Sequence, residues 1–372
     1  MIAAIRHLWL ALLPLFWIGA AGACQICIPL PERTLADRLL DSDAVVLARE
    51  DASRPFHYQA VETLFGEPGD APIDLFLHSQ ARRTLAASPD RAMVLTHSPR
   101  DGSWSTLGFT TPEFERVLRG VLAQVGRWRP RETDNRERLN WFAPLLGHPD
   151  KRLHELAYLE IGRAPYAEIR RLAPRIAAET LEEMLDAPKY LEWRSLAILL
   201  LGESDQEHDQ ARVRKTIADK AGLRSTANLS AWATALVALD GEAGIDQLAR
   251  LYASGPGRSR EELDAVVQAL SVHANASPAL RGPVAAVYRR MLEHQPAMAP
   301  AMVHDLIAWR RWDFAERIRS IRQARADDPL AAYALGLYLR LAATNGVTMP
   351  ASPPGATTTG SLTGQPVQES YR

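Results

Sequence analysis

Apolar quartets at positions i, i+1, i+4 and i+5 recur at a near-constant interval through the second half of this chain. Leu196-Ala197-Leu200-Leu201, Trp232-Ala233-Leu236-Val237, Met302-Val303-Leu306-Ile307 and Ala334-Leu335-Tyr338-Leu339 keep the full form. Val266-Val267-Leu270 has Ser271 in the fourth place, and Leu156-Ala157-Ile161 has Glu160 in the third. Their first members stand at 156, 196, 232, 266, 302 and 334, so the unit repeats every 32 to 40 residues. Steps of three and four residues lie on one face of a helix, which makes each quartet one buried stripe. A second set of helices is marked between them by Ile169/Leu172/Ala173/Ile176, Ile245/Leu248/Ala249/Tyr252 and Val284/Val287/Tyr288/Met291. Breaks such as Gly255-Pro256-Gly257 and Gly282-Pro283 separate many of them. Two helices per unit, each unit hiding its stripe on its neighbours, predict an α-solenoid over residues 126–345.

One helix of this array also carries a resemblance. Residues 149–162, PDKRLHELAYLEIG, resemble a HEAT-repeat helix, with Asp150 at the cap and Gly162 at the stop. Tetratricopeptide-like repeats are the competing name for the same pattern.

Residues 24–125 read differently. A short amphipathic helix over Glu32–Leu40 places Leu35, Leu39 and Leu40 on one side. Ala44–Ala48 is continuously apolar, as in a strand buried on both faces. Phe56–Leu64 forms a second strand, ended by Gly66-Glu67-Pro68-Gly69-Asp70. The alternation of Ile73, Leu75 and Leu77 predicts a third, Ala92–Thr96 a fourth, and the turn at Arg100-Asp101-Gly102 leads to a fifth over Trp104–Phe109. Thr111 then caps a helix running through Phe114, Val117, Leu118, Val121 and Leu122, with Pro112 as its first residue. Five short strands with a terminal helix predict a small barrel or sandwich.

The chain begins as an exported protein would. Arg6 and His7 precede an apolar run from Leu8 to Ile18, and Ala21-Gly22-Ala23 supplies a small-x-small cleavage site, the layout of a signal peptide over residues 1–23. Cys24 would then be the first mature residue, which opens lipidation as an alternative to plain cleavage. Cys24 and Cys27 are the two cysteines of the chain. If Cys24 is not acylated they admit a local disulfide, a redox pair or metal capture, of which the disulfide is the simplest in an oxidising compartment.

This opening, followed by a proline-bearing stretch and by "SDAVVLARE" leading to "HYQAVETLFGEP", resembles the netrin-like family. That family includes the tissue inhibitors of metalloproteinases, and bacterial secreted proteins share the opening. The resemblance implies a barrel of the oligonucleotide/oligosaccharide-binding (OB) type over about a quarter of the chain. It also raises protease inhibition through the Cys24 region. The whole therefore reads as a multidomain α+β protein: a five-stranded OB-like β barrel, then a HEAT-like α-solenoid. Residues 346–372, rich in Thr, Ser, Gly and Pro, read as a flexible tail because they have too little apolar area to offset ordering entropy.

The composition limits what the chain does. With 43 Lys+Arg against 44 Asp+Glu, the net charge of -1 argues against nucleic acid as a partner. No second apolar stretch of spanning length follows the signal, so a membrane is involved only if Cys24 is lipidated. His154-Glu155 lacks the second histidine of a zinc-protease helix, and phosphate loops, nucleophile elbows and calcium loops do not occur. No catalytic residue, metal site or cofactor is therefore expected. Glu182-Glu183 and Glu261-Glu262 read as solvated helix faces, and Asp37, Asp41 and Asp43 as acids around a helix end. The segment Trp309-Arg310-Arg311-Trp312 offers the aromatic and guanidinium groups favoured at interfaces, although packing between adjacent helices explains both tryptophans as well. Arg170-Arg171, Arg289-Arg290 and Arg310-Arg311 would add a basic strip if they shared a face. The expectation is a non-catalytic binding or scaffold protein of the bacterial envelope, periplasmic or secreted, with a protein partner on the helical array. A protease inhibitor working through Cys24 and a thiol redox protein using Cys24 and Cys27 are the alternatives.

Overall fold

The computed structural model describes residues 31–69, 73–88, 91–325 and 328–346. The signal-like segment, Cys24, Cys27 and nearly all of the predicted tail lie outside these residues. The chain divides into two compact units, the first ending at Met298 and the second starting at Ala299.

The first unit opens with α1 (Leu35–Leu40), whose N-cap Thr34 and N3 residue Asp37 form a reciprocal capping box. The inward residues are Ala36, Asp37 and Leu39, not the predicted trio of leucines; Leu35 and Leu40 are only half-buried. Strands β1 (Ala44–Glu50), β2 (His57–Gly66), β3 (Ile73–Asp74), β4 (Met93–His97) and β5 (Trp104–Phe109) form one curled antiparallel sheet in the order β3-β2-β1-β4-β5. Register shifts at Val45/Val46 and Leu47/Ala48 against β2, and at Val94/Leu95 against β5, supply the curl, since each extra residue bends a strand and raises its twist. Gly66 sits at φ +69 with its α-carbon so near the Asp43 carbonyl that a Cβ would lie 1.8 Å from that oxygen, so only glycine closes this end of the hairpin.

The central strand is buried on both faces, as its continuous apolar run predicts. Val46, Ala48, Tyr58, Met93 and Leu95 form one core with Ile73, Leu77 and Ala81. Val45, Leu47 and Val94, the alternate residues, are equally buried on the other side. The predicted third strand is shorter than its alternation suggested. Ile73 and Asp74 pair with Tyr58 and His57, and the last bond runs from Leu75 N–H to the Phe56 carbonyl. Phe56 has φ 67, which bends the partner strand away at that point. Leu75 and Leu77 still pack on the core, so their spacing reported burial without a ladder.

A helix that the periodicity did not reveal follows: α2 (Ser79–Ala87), with only Ala81 fully buried and with His78 as an uncommon N-cap whose Nδ1 accepts from Ala81 N–H. Then come α3 (Pro112–Leu122), capped by Thr111 as expected, α4 (Arg136–Phe142), and α5 (Lys151–Gly162), capped by Asp150.

The helical part of this unit continues with α6 (Tyr166–Leu172), α7 (Ala178–Asp186), α8 (Arg194–Leu201), α9 (Glu207–Leu223), α10 (Leu229–Asp240), α11 (Glu242–Leu248), α12 (Arg260–Ala276) and α13 (Arg281–His294). Every predicted quartet falls on a helix. Those of α8 and α10 are entirely buried, and α10 packs between α8 and α12 with α9 and α11 also against it. The α8–α10 approach is close enough that a Cβ on Gly202 would lie 2.7 Å from the Ala235 α-carbon. The second unit holds α14 (Ala299–Ala308), α15 (Ala315–Ala324) and α16 (Pro329–Thr344), with α16 packed on both others. Among the described residues no helix is long and apolar enough to cross a membrane.

Candidate functional site

The four residues singled out as partner anchors have separate fates. Trp309 is buried at the end of α14, and Arg310 is exposed in a left-handed conformation that breaks the helix. Arg311 makes a bidentate pair with Asp313, 2.8 Å at each contact, and its carbonyl accepts from the Tyr338 hydroxyl. Trp312 is half-buried with its ring 5.5 Å from that of Tyr338. The structure thus brings Arg311, Trp312 and Tyr338 together and leaves Arg310 pointing to solvent. Of the arginine doublets, Arg170 pairs with Glu203 and Arg171 with Glu168, so neighbouring acids neutralise that pair.

One presumed surface acid is not on the surface. Glu262 is buried because it is the N3 residue of the capping box made with Ser259, and it pairs with Arg258 at 2.8 Å. Arg258 also donates to the Ala221 carbonyl at the end of α9, so this cap ties two helices. His154 is likewise internal, its Nδ1 on the Leu146 carbonyl and its ring 4.4 Å from that of Tyr190. Burial pushes its pKa down, so it is neutral.

The densest polar constellation was missed by the sequence reading. Asp37 of α1, Arg138 of α4, and Glu160 and Arg163 at the end of α5 meet in the interior, none with a side chain more than 6% exposed. Arg138 Nη2 lies 2.8 Å from both Asp37 Oδ1 and Glu160 Oε2. Arg163 grips both Asp37 oxygens through Nη1 and Nη2, and its Nη2 also reaches Glu160 Oε2 at 3.0 Å. The Arg131 N–H adds a bond to Asp37 at 2.9 Å, and the Thr34 hydroxyl donates to Glu160. Two guanidiniums against two carboxylates make the group neutral overall. Burial raises the Asp37 pKa, but Arg163, the Arg131 N–H and Arg138 outweigh it and hold the carboxyl well below the usual range. Burial pushes Glu160 the other way, only partly offset by the two arginines.

Every carboxylate oxygen in this quartet is already accepting, so it offers no vacancy to a substrate or metal. What it does is fasten α1 to α4 and α5. Two signals pointed to it: Thr34-x-x-Asp37 is a capping box, and Glu160 is the one acid inside an apolar quartet. Among the described residues no group of three or more His, Cys, Asp or Glu side chains is placed to hold a metal ion. No protein-family model, curated protein or solved structure matches this chain.

Proposed function

We propose that the protein is an exported, non-catalytic binding or scaffold protein of the bacterial envelope that engages a protein partner through its helical array. The observation that carries this reading is the side-by-side packing of α8, α10 and α12, with α11 on α13 behind them. That arrangement supports a HEAT-like stack, in which shape is fixed by buried stripes while outer helices present a broad surface. On α9 the buried stripe is only Val213, Ile217 and Ala221, and most of the remaining residues face water.

The netrin-like reading of the sheet has its own support. The order β3-β2-β1-β4-β5, with a helix between the third and fourth strands, is that of an OB-type barrel opened between its third and fifth strands. In this reading the sheet is a folded anchor for α1, and the helices are the working surface.

Photo-crosslinking in envelope preparations tests the assignment. A crosslinking residue at Lys215 on α9 or Ala286 on α13, both exposed, should trap the same protein; one at Thr63 on β2 should not. Capture from Thr63 alone, or substrate turnover by the purified protein with no crosslink from either helix, would overturn it.

A further inference from the structure

Beyond the helical surface, a pocket of about 240 Å³ opens between the end of β1, the turn that follows it, α2 and the residues before β4. Its charged lining is Arg49, Arg82 and Arg91 with Glu50 and Asp51, and Leu85 and Ala86 form an apolar wall. Each of the two acids already accepts hydrogen bonds. Glu50 accepts from Arg82 Nε at 2.6 Å and from the Phe56 N–H at 2.8 Å. Asp51 accepts from the Ser53 N–H at 2.9 Å and from the Ser53 hydroxyl at 2.7 Å.

Two of the three cations are not committed. Among the described residues, Arg49 and Arg91 are exposed and meet no carboxylate, and Arg82 is hydrogen-bonded through Nε alone. Both terminal nitrogens of Arg82 remain free to donate, while its guanidinium lies 4.4 Å over the Phe56 ring. Phe56 is itself held at φ 67 by the Glu50 carboxylate, and its ring stacks at 5.2 Å with Phe76, which is 78% exposed. A bulky residue kept in the left-handed region is the kind of local strain that clusters at ligand sites. Here it pins Arg82 from one face and one edge, so that little side-chain freedom is left to lose on binding.

We propose that this pocket binds a small organic oxyanion, a carboxylate or a phosphate monoester, bearing a short apolar chain. The oxyanion sits on Arg82 with Arg49 and Arg91, whose planar forks match such groups, and the chain lies on Leu85 and Ala86. The size guides the class. At ~30 Å³ per water the pocket holds roughly eight water-sized groups, which matches a butyl-sized anion.

Titration of the full chain with sodium butyrate, butyl phosphate, inorganic phosphate and butanol, followed by amide NMR shifts and calorimetry, tests this. One of the two butyl anions should saturate with Kd on the order of 1 mM or lower, and the tighter of them identifies the headgroup. Butanol should not bind, and inorganic phosphate should bind more weakly than butyl phosphate. The exposed-residue variant Arg49→Ala/Arg91→Ala should weaken the anion roughly tenfold with its melting temperature unchanged. Leu85→Ser should remove the advantage of butyl phosphate over methyl phosphate. Failure of every probe to saturate, equal binding by the double variant, or, where butyl phosphate is the tighter anion, inorganic phosphate binding as tightly as it would overturn the proposal.

Discussion

The seams between α8, α10 and α12 and the junction of α1 with α4 and α5 are both buried, yet they are built from opposite chemistry. The stack joins apolar stripes so closely that a glycine is required at residue 202, and its stability comes from removing hydrocarbon from water. The junction joins two arginines and two acids in a network that satisfies every carboxylate oxygen, where Coulomb attraction and hydrogen bonds have to offset several kcal/mol of desolvation per ion. The difference is one of tolerance. An apolar seam yields a little when a methylene is lost, whereas a charged seam that loses one partner leaves a buried ion uncompensated.

That contrast can be broken at its strongest point first. Asp37→Ala leaves Arg138 and Arg163 sharing Glu160 alone, with one buried positive charge uncompensated, and should cost about 3–5 kcal/mol in denaturant unfolding. The companion Asp37→Ala/Arg163→Ala should cost less than the sum of the single changes, because each single change leaves a charge that the double one removes. Additivity there would show that the junction is not held by charge.

Protonation offers the next largest effect. His273 in α12 is 4% exposed, its Nε2–H donates to the Thr234 carbonyl of α10 at 2.8 Å, and burial lowers its pKa to about 4. The neutral ring is thus the folded form, while the unfolded chain takes up a proton near pH 6.5. Stability from this group is complete above pH 6.5 and drains as pH falls to about 4, a loss of about 3 kcal/mol at that end. Asp37 does not share that window, because an unfolded aspartate protonates only near pH 3.9 and the folded one lower still. Melting curves from pH 7 to 4 should therefore fall steeply in the native protein and less so in His273→Gln. An unchanged slope would remove His273 from this role.

Smaller effects sharpen the comparison. Gly202→Ala forces its new methyl onto Ala235 and should cost about 1–3 kcal/mol by overpacking, measured by urea unfolding. Thr111→Ala removes the cap of α3, whose hydroxyl accepts from Phe114 N–H at 3.2 Å, for about 1 kcal/mol by the same measurement. A Gly202→Ala protein as stable as the native one would show that the α8–α10 approach can relax.

The apolar seam was legible in the primary structure because its signal is periodic. The quartets at 196 and 232, the cap at Asp150 and the strand at Trp104–Phe109 all lie where spacing placed them. The ionic seam was not legible, because no local spacing relates Asp37 to Arg138 or Arg163. Asp37 looked like an ordinary helix-end acid, and Glu160 like a fault in an otherwise apolar stripe. The pocket at Arg82 was hidden for a further reason. α2 buries only Ala81 fully, so it left no stripe to read.

Local chemistry alone therefore determined where most of the helices and strands form, though not α2 or the full extent of β3, and which side of many of them turns inward. Periodicity and caps act within a few residues. Tertiary structure alone decided where opposite charges separated by about a hundred residues meet, which arginines stay uncommitted, and that Phe56 is held left-handed. Those outcomes depend on long-range desolvation, and a charge has no preferred partner until the fold removes the water around it.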